Sequence, residues 1–541
     1  MNITRSVAVI GATTMAAAAL AACGSGRSGD SASGLIVGTT DKVVSIDPAG
    51  SYDNGSMTVQ TQVFQYLLNY PAGSTELTPD AAESCDFDES DGTKYVCTIK
   101  PGLKFANGND LTASDVAFSF KRIVDINDAN GPSSLLGAMK SVEATDDSTV
   151  TFTLNAANDQ TFPQILVTSA GPIVDEDTYP ADKLLDDDAA VEANGFSGPY
   201  TISSYEKNQL AEFTANPDYD GTYDAPATKN VTVKYYAKAE NLKLDVQNGD
   251  IDVAFRSLTP TDIEDLGKND KVVVHTGAGG EIRYIVFNLN QMPGDDPEQK
   301  LAIRKAVASS IDRDALSEGV YKGTYTPLFS LVPQGQTGAT EPFKDLYGDA
   351  PDADAAKKLL TDAGVSTPVT IPLQYNPDHY GSSSDQEYNA IKRQLEDTGL
   401  FKVDLQSTEW VTYSEAYPTD AYPVFQLGWF PDFPDADNYL SPFLTPYDDK
   451  KSGNFTSSHY NEIGSPYADD TMTKLLDSER TDGDAAKREA TIGEIQQRVA
   501  EQVPYLPLLT GSQVAVSGTD VKGVDDTLDA SFKFRFTSLS K

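Results

Sequence analysis

Three histidines, three cysteines and 81 acidic side chains are the groups of this chain with the means for acid–base, nucleophilic or metal chemistry. His275, His379 and His459 stand far apart. No G-x-S-x-G, H-E-x-x-H, Walker loop or G-x-G-x-x-G after a strand is present, so neither a nucleophile–base pair nor a histidine metal motif is legible. The acid-rich run Asp432-Phe433-Pro434-Asp435-Ala436-Asp437 offers oxygen ligands to Ca²⁺, but it lacks the Gly and the terminal bidentate Glu of an EF-hand loop. Carboxylate pairs of the glycoside-hydrolase kind have no distinguishing spacing among so many acids. Recognition chemistry remains. Asp432, three residues after Trp429, can neutralise an ammonium through a charge-assisted hydrogen bond in a desolvated cleft, with the indole as an apolar face. The same spacing also suits a turn or cap residue. Jointly with the motif blocks quoted below, this silence gives the expectation of a binding protein that is no enzyme and uses neither metal nor cofactor.

The elements that must position such a site are mixed. Strand-like alternation runs over Leu35–Thr39, Thr149–Leu154, Val231–Tyr236, Arg283–Leu289 and Val369–Tyr375. Helical spacing places Ile303, Ala306, Val307 and Ile311 on one stripe of 301–311. A helix over 353–363 follows a cap at Asp352 and stops at Gly364, and one over 388–398 stops at Gly399. Strands interleaved with helices predict an α/β or α+β class with several sheets. Gly277-Ala278-Gly279-Gly280 and Leu509-Thr510-Gly511 combine backbone freedom with strand-like flanks and read as crossings between lobes.

The 541 residues suggest about three domains, and 39% hydrophobic content is enough for large cores. With 41 basic against 81 acidic residues the formal charge is −40, which repels phosphate backbones and excludes nucleic acid as a partner. One cation, Arg5, precedes the small apolar run 7–20, which is too short to span a bilayer and reads as a signal-peptide h-region. The Gly/Ser-rich stretch 24–34 reads as a flexible tether. Cys85 and Cys97 suit an oxidising compartment. A three-residue loop at Ser90-Asp91-Gly92, with Gly92 left-handed, places Asp88 opposite Lys94, Phe87 opposite Tyr95 and Cys85 opposite Cys97. That register closes a disulfide, worth about 3 kcal/mol in the chain-entropy picture.

Two resemblances extend this reading. Leu20-Ala21-Ala22-Cys23 resembles the lipobox of bacterial lipoproteins, which implies cleavage after residue 22 and a lipid on the Cys23 sulfur. Ile99-Lys100-Pro101-Gly102-Leu103-Lys104-Phe105 with Asn107-Gly108 and Leu111-Thr112-Ala113-Ser114-Asp115-Val116 resembles the family 5 solute-binding proteins of ABC importers. Ser45-Ile46-Asp47-Pro48, Phe196-Ser197-Gly198-Pro199-Tyr200, Gly249-Asp250-Ile251-Asp252, Ile303-Arg304-Lys305-Ala306 with Ile311-Asp312-Arg313, and Gly428-Trp429-Phe430-Pro431-Asp432 follow in the family's order.

The resemblance implies a two-lobed, periplasmic-binding-protein-like α/β fold of class II, type C. Lobe one would comprise 35–75, 196–278 and 510–541, with an extra subdomain over 76–195, and lobe two would be 279–509. It further implies an oligopeptide-like solute held as an added β-strand and an ABC permease as partner. The protein would be a monomeric receptor on the outer face of the cell membrane, held by its lipid alone. By position the lobe-one strand is Ser51-Tyr52-Asp53-Asn54 and the lobe-two strand Gly428-Trp429-Phe430, and Asp432 matches the acid that meets the peptide's ammonium. Trp410, Tyr375, Asn376 and His379 fall where the family places further contacts. Where the family tends to carry a base for the ligand carboxylate, this chain has Gln374 and Gln426, with Arg256, Arg283 and Arg393 as the other cations considered. The missing base leads to the expectation that peptides of four or more residues bind best and keep their C-terminus in water. The other readings open at this point are a non-peptide solute (oligosaccharide, metal complex or opine), a sensor lipoprotein and a secreted hydrolase.

Overall fold

The computed structural model describes residues 34–381, 383–445, 467 and 469–541. The leader 1–22, Cys23, the tether up to residue 33 and His459 lie outside the described residues.

Strands Val272–Phe287 and Tyr505–Gly518 are antiparallel partners that run through the middle of an eleven-stranded mixed sheet. Tyr505–Gly518 pairs at its C-terminal end with Val253–Phe255, and the sheet continues through Leu35–Thr39, Asn230–Tyr235, Leu210–Ala215 and Tyr200–Glu206. Val272–Phe287 pairs at its C-terminal end with Val424–Trp429, followed by Val369–Tyr375 and Phe401–Ser407. The two lobes are therefore joined by paired strands. Their register breaks between Gly277 and Glu281. A Cβ on Gly279 would lie 1.4 Å from the Gly511 carbonyl oxygen, and one on Gly280 would lie 2.0 Å from the Phe532 ring, so both positions need glycine for close approach.

The alternation reading matches Leu35–Thr39, Thr149–Leu154 and Val369–Tyr375 to the residue and misses Asn230–Tyr235 by one. It recognises only the end of Val272–Phe287, because the glycines interrupt the pattern without interrupting the strand. Helix Ala353–Asp362 is capped by Asp352, whose carboxylate accepts from the Ala355 N–H at 2.8 Å. Gly364 and Gly399, at φ +68° and +71°, follow this helix and Ser384–Asp397. The stripe of 301–311 belongs to Pro297–Ala308, which starts earlier because Asp296 caps it.

A separate four-stranded sheet has the order Ala82–Asp88, Asp91–Ile99, Thr149–Leu154, Met139–Ala144. Helix Ala113–Ile126, closed by a Thr112/Asp115 capping box, lays Val116, Phe120 and Ile123 on it, with Phe120 edge-on to Phe152 at 5.0 Å. Each such buried apolar side chain contributes roughly 1.5–3 kcal/mol. Cys85 and Cys97 face each other and form the disulfide, and Phe87 pairs with Tyr95. The loop differs from the expected one: a register shift after Phe87 sets Asp88 opposite Asp91, leaving Glu89-Ser90 as the turn. Asp88 accepts from the Ser90 and Asp91 N–H groups, and this Asx closure replaces a left-handed Gly92. Lys94 meets Asp91 at 3.7 Å instead of Asp88.

Three large cores lie behind these sheets, one in each lobe and one under the four-stranded sheet. Val174, Tyr179 and Ala190 pack in the lobe-one core, while Phe433, from the far lobe, is buried in the core under the four-stranded sheet. The Asp47 carboxylate of the Ser45–Pro48 block takes both Arg122 Nη atoms at 2.7 and 2.6 Å, fully buried, and fixes the helix Ala113–Ile126 to lobe one. No helix among the described residues is long and apolar enough to cross a membrane.

Candidate functional site

A cleft of ≈480 Å³ opens where the crossing strands meet both lobes. Lobe one contributes Asn54, Thr58, Thr61 and Tyr66, and the crossings contribute Arg256, Gly280, Glu281 and Gln513. The far lobe contributes Tyr321, Tyr325, Tyr380, Phe430, Asp432 and Pro434, and the C-terminal segment contributes Ser531 to Phe534. The volume is ordinary for a small-solute site.

Asp432 is positioned by the helix Asp437–Leu444. From that helix Asn438 donates to one carboxylate oxygen at 3.2 Å, while its own Oδ1 accepts from the Asp432 N–H at 2.9 Å and from the Trp429 indole at 3.2 Å. The other Asp432 oxygen accepts from the Tyr52 hydroxyl, which reaches across from lobe one. Burial raises the Asp432 pKa, and the two neutral donors only partly offset it. Among its charge-relevant neighbours there is no cation.

The backbone around it suits strand addition. Ser51 and Asp53 are extended, at φ −149° and −145°. Their side chains serve the fold: Ser51 accepts from Gln60 at 2.7 Å, and Asp53 caps the helix Asn54–Val63 through the Ser56 N–H. Val424–Trp429 pairs on one side with Ile282 and Arg283, and on the other with Val369–Tyr375 only at Val424 and Phe425. Gly428 and Trp429 thus have no strand beside them on that second side among the described residues. A Cβ at Gly428 would lie 2.9 Å from the Tyr380 ring, so glycine lets that ring cover the backbone.

Of the residues singled out from sequence, Asn54, Phe430 and Asp432 line the cleft, with Tyr52 on Asp432. Tyr375 donates to Asp385 at 2.6 Å and stacks on Tyr388, away from the lining. Asn376, fully buried, organises its own loop by accepting from the His379 N–H and donating to the Thr408 carbonyl. His379 stacks on Trp410 at 3.7 Å; burial, then Arg283, holds its pKa below the usual range. These rings buttress Tyr380, which itself lines the cleft. The glutamines are committed internally: Gln374 donates to Thr408, and Gln426 accepts from the Asn376 N–H and donates to Ser384. The Ca²⁺ reading of 432–437 loses its ligands, since Asp435 takes Arg488 at 2.7 and 2.9 Å and Asp437 takes Ser441. No metal-sized acid, His or Cys cluster exists among the described residues.

Of the cations considered from the sequence none is free in the cleft, and sequence reasoning missed a fourth, Lys533. Arg283 is buried behind the lining, with Glu281 as ion-pair partner and the Tyr380 carbonyl accepting at 2.8 Å. Arg256 faces Asp41 at 3.6 Å. Arg393 lies in another hollow beside Asp385 and Asn389. Lys533, however, is 8% exposed, lines the cleft, and its Nζ has no hydrogen-bond partner among the described residues. Its signal was present as Phe532-Lys533-Phe534-Arg535-Phe536.

The family described as bacterial extracellular solute-binding proteins, family 5 Middle, matches residues 76–451. The chain is 26% identical over 506 residues to the probable D,D-dipeptide-binding periplasmic protein of Escherichia coli, covering 90% of each. It is 25% identical over 539 residues to the oligopeptide-binding protein of Bacillus subtilis, covering 93% of this chain and 94% of that one. In fold it is similar to the dipeptide-binding protein of Pseudoalteromonas, solved with Met-Leu, at a TM-score of 0.70 and 21% identity over 94% of this chain and 100% of that chain.

Proposed function

The chain belongs to the bacterial extracellular solute-binding proteins of family 5, and from that membership we propose that it is the receptor of an ABC importer that captures a peptide-like solute between its lobes. The observation that carries the peptide reading is Asp432: a half-buried carboxylate at a cleft wall, whose partners among the described residues are neutral donors, is completed by an ammonium. The backbone at Gly428, beside which Val369–Tyr375 no longer pairs among the described residues, and the extended backbone at Ser51 and Asp53 support strand addition by a peptide. Relatives named as dipeptide and oligopeptide binders support the same class. In this reading lobe one is 35–75, 196–278 and 510–541, its subdomain 76–195 and lobe two 279–509. Contacts across the lobes support closure in this reading: Tyr52 on Asp432, Arg480 on Asp159 at 3.2 Å, and Phe433 in the opposite core. The closed, liganded form is what the permease reads. A lipid on Cys23 holds the monomeric receptor at the membrane.

The test is to expose the purified protein to a defined peptide mixture, isolate it, and identify retained species by mass spectrometry alongside thermal shifts. Retained, unhydrolysed peptides that raise Tm support the reading. Retention of a sugar, an opine or a metal complex in place of peptides would replace it.

A further inference from the structure

Four charged side chains line the cleft: Arg256, Glu281, Asp432 and Lys533. Two of them are committed. Glu281 holds Arg283 and accepts from the Tyr325 hydroxyl at 3.0 Å, and Arg256 faces Asp41. The other two, one of each sign, have no ion-pair partner among the described residues.

Lys533 is the better defined of that pair. Its ammonium sits 4.0 Å from the centre of the Tyr66 ring, which attracts it but accepts none of its three N–H donors in a hydrogen bond. Both acids whose charge reaches it are already used. Asp529 takes Arg535 at 2.8 Å, the Gly73 N–H and the Ser531 N–H and hydroxyl. Asp80 takes the Tyr66 and Thr222 N–H groups, Asn69 and the Tyr219 hydroxyl. Burial, and then the like charge of Arg535 beside it, push the Lys533 pKa down to about 7, and a carboxylate at this position would hold the amine in its charged form. A buried ammonium without a partner is costly unless something absent from the fold completes it. Its segment is held rigidly for the purpose: Phe532, left-handed at φ +60°, seats its ring against Gly280 of the crossing strand and turns Lys533 to the cleft.

We propose that Lys533 is the anion seat of the cleft, holding a carboxylate of the bound solute while Asp432 holds its ammonium, so that the site selects zwitterionic solutes. This rests on the peptide reading and deepens it. It also replaces the expectation drawn from Gln374 and Gln426 that no cation meets the solute's acidic end. The carboxylate can be a C-terminus or an acidic side chain.

Calorimetry on the detergent-solubilised full chain distinguishes these with three probes: tetraalanine, tetraalanine amide, and an amidated tetrapeptide carrying one glutamate. Wild type is expected to bind at least one acid form tenfold or more tighter than tetraalanine amide. Free tetraalanine in that role identifies the C-terminus, and the glutamate peptide identifies a side chain. In Lys533→Met the preference falls below threefold through loss on the acid side, with amide affinity kept. As a second measurement independent of that variant's folding, reductive methylation of Lys533 in wild type is suppressed by the preferred acid peptide and not by the amide. Equal acid and amide affinities in wild type, or an undiminished preference in Lys533→Met, overturn the anion seat and leave the peptide reading standing. Failure of all three probes to bind overturns both.

Discussion

Asp432→Asn separates a binding carboxylate from a structural one, because the two roles move stability and affinity in different directions. Among the described residues the carboxylate receives only the Tyr52 hydroxyl and the Asn438 amide, and burial raises its pKa above the ordinary range. A raised folded-state pKa means that ionisation costs stability at neutral pH, a cost absent when the pH lies below the unfolded-state value. Removing the charge therefore leaves the unliganded protein as stable or more stable, with Tm unchanged or higher at pH 7. Binding moves the other way. An ammonium on Asp432 is a charge-assisted hydrogen bond worth about 1.5–3 kcal/mol, so Asp432→Asn weakens a retained peptide by about 10- to 150-fold. N-acetylating the peptide removes the same partner from the other side and costs a similar amount. The two losses must not add. Calorimetry on wild type and Asp432→Asn, each with free and acetylated peptide, closes the double-mutant cycle, and fully additive losses would refute the pairing. Affinity for the free peptide also falls as the pH drops through the raised Asp432 pKa, while the acetylated peptide shows a flat profile there. A drop in Tm with unchanged affinity would make Asp432 a tie between lobes and nothing more.

Asp47→Ala strands the buried Arg122 guanidinium and is expected to cost about 3–5 kcal/mol in urea unfolding, with the pair replacement Asp47→Leu/Arg122→Met costing less than the single change. Glu387 is fully buried, accepts from Tyr321 at 2.9 Å, and is pushed by burial from 4.5 to about 7. Below pH 4.5 both folded and unfolded states are protonated and nothing is lost; the cost grows to about 3 kcal/mol by pH 7 and stays above it. Glu387→Gln should accordingly stabilise at pH 8 and do nothing at pH 4, as unfolding at the two pH values will show. Cys23→Ala should move the protein from the membrane fraction to the medium, and unchanged membrane retention would remove the lipid anchor.

The fold was legible where a local rule and the tertiary structure agree. Asp352, Gly364 and Gly399 announce helix ends by capping chemistry that acts within a few residues. Phe87 opposite Tyr95 beside the disulfide follows from counting across a hairpin. The same count failed one step further out, because Asp88 closes the turn with its own side chain and shifts the register. Of the residues the motif order singled out, Asp432 lines the cleft, whereas Tyr375, Asn376 and His379 do not, and His379 packs against the lining residue Tyr380. Lys533 was hidden for a stronger reason. Aromatic and basic residues alternate from Phe532 to Phe536, and on a regular strand period-two alternation would put neighbours on opposite faces. The backbone does not alternate there. Phe532 is left-handed, and Lys533, Phe534, Arg535 and Phe536 are all buried. What divides the two cations is tertiary and lies outside the segment: Arg535 takes Asp529, which leaves Lys533 over Tyr66 with its donors unspent. A local pattern gives the charge of a residue and the face it would occupy on a regular strand. Whether that charge is neutralised from within depends on how many acids the rest of the fold has left uncommitted.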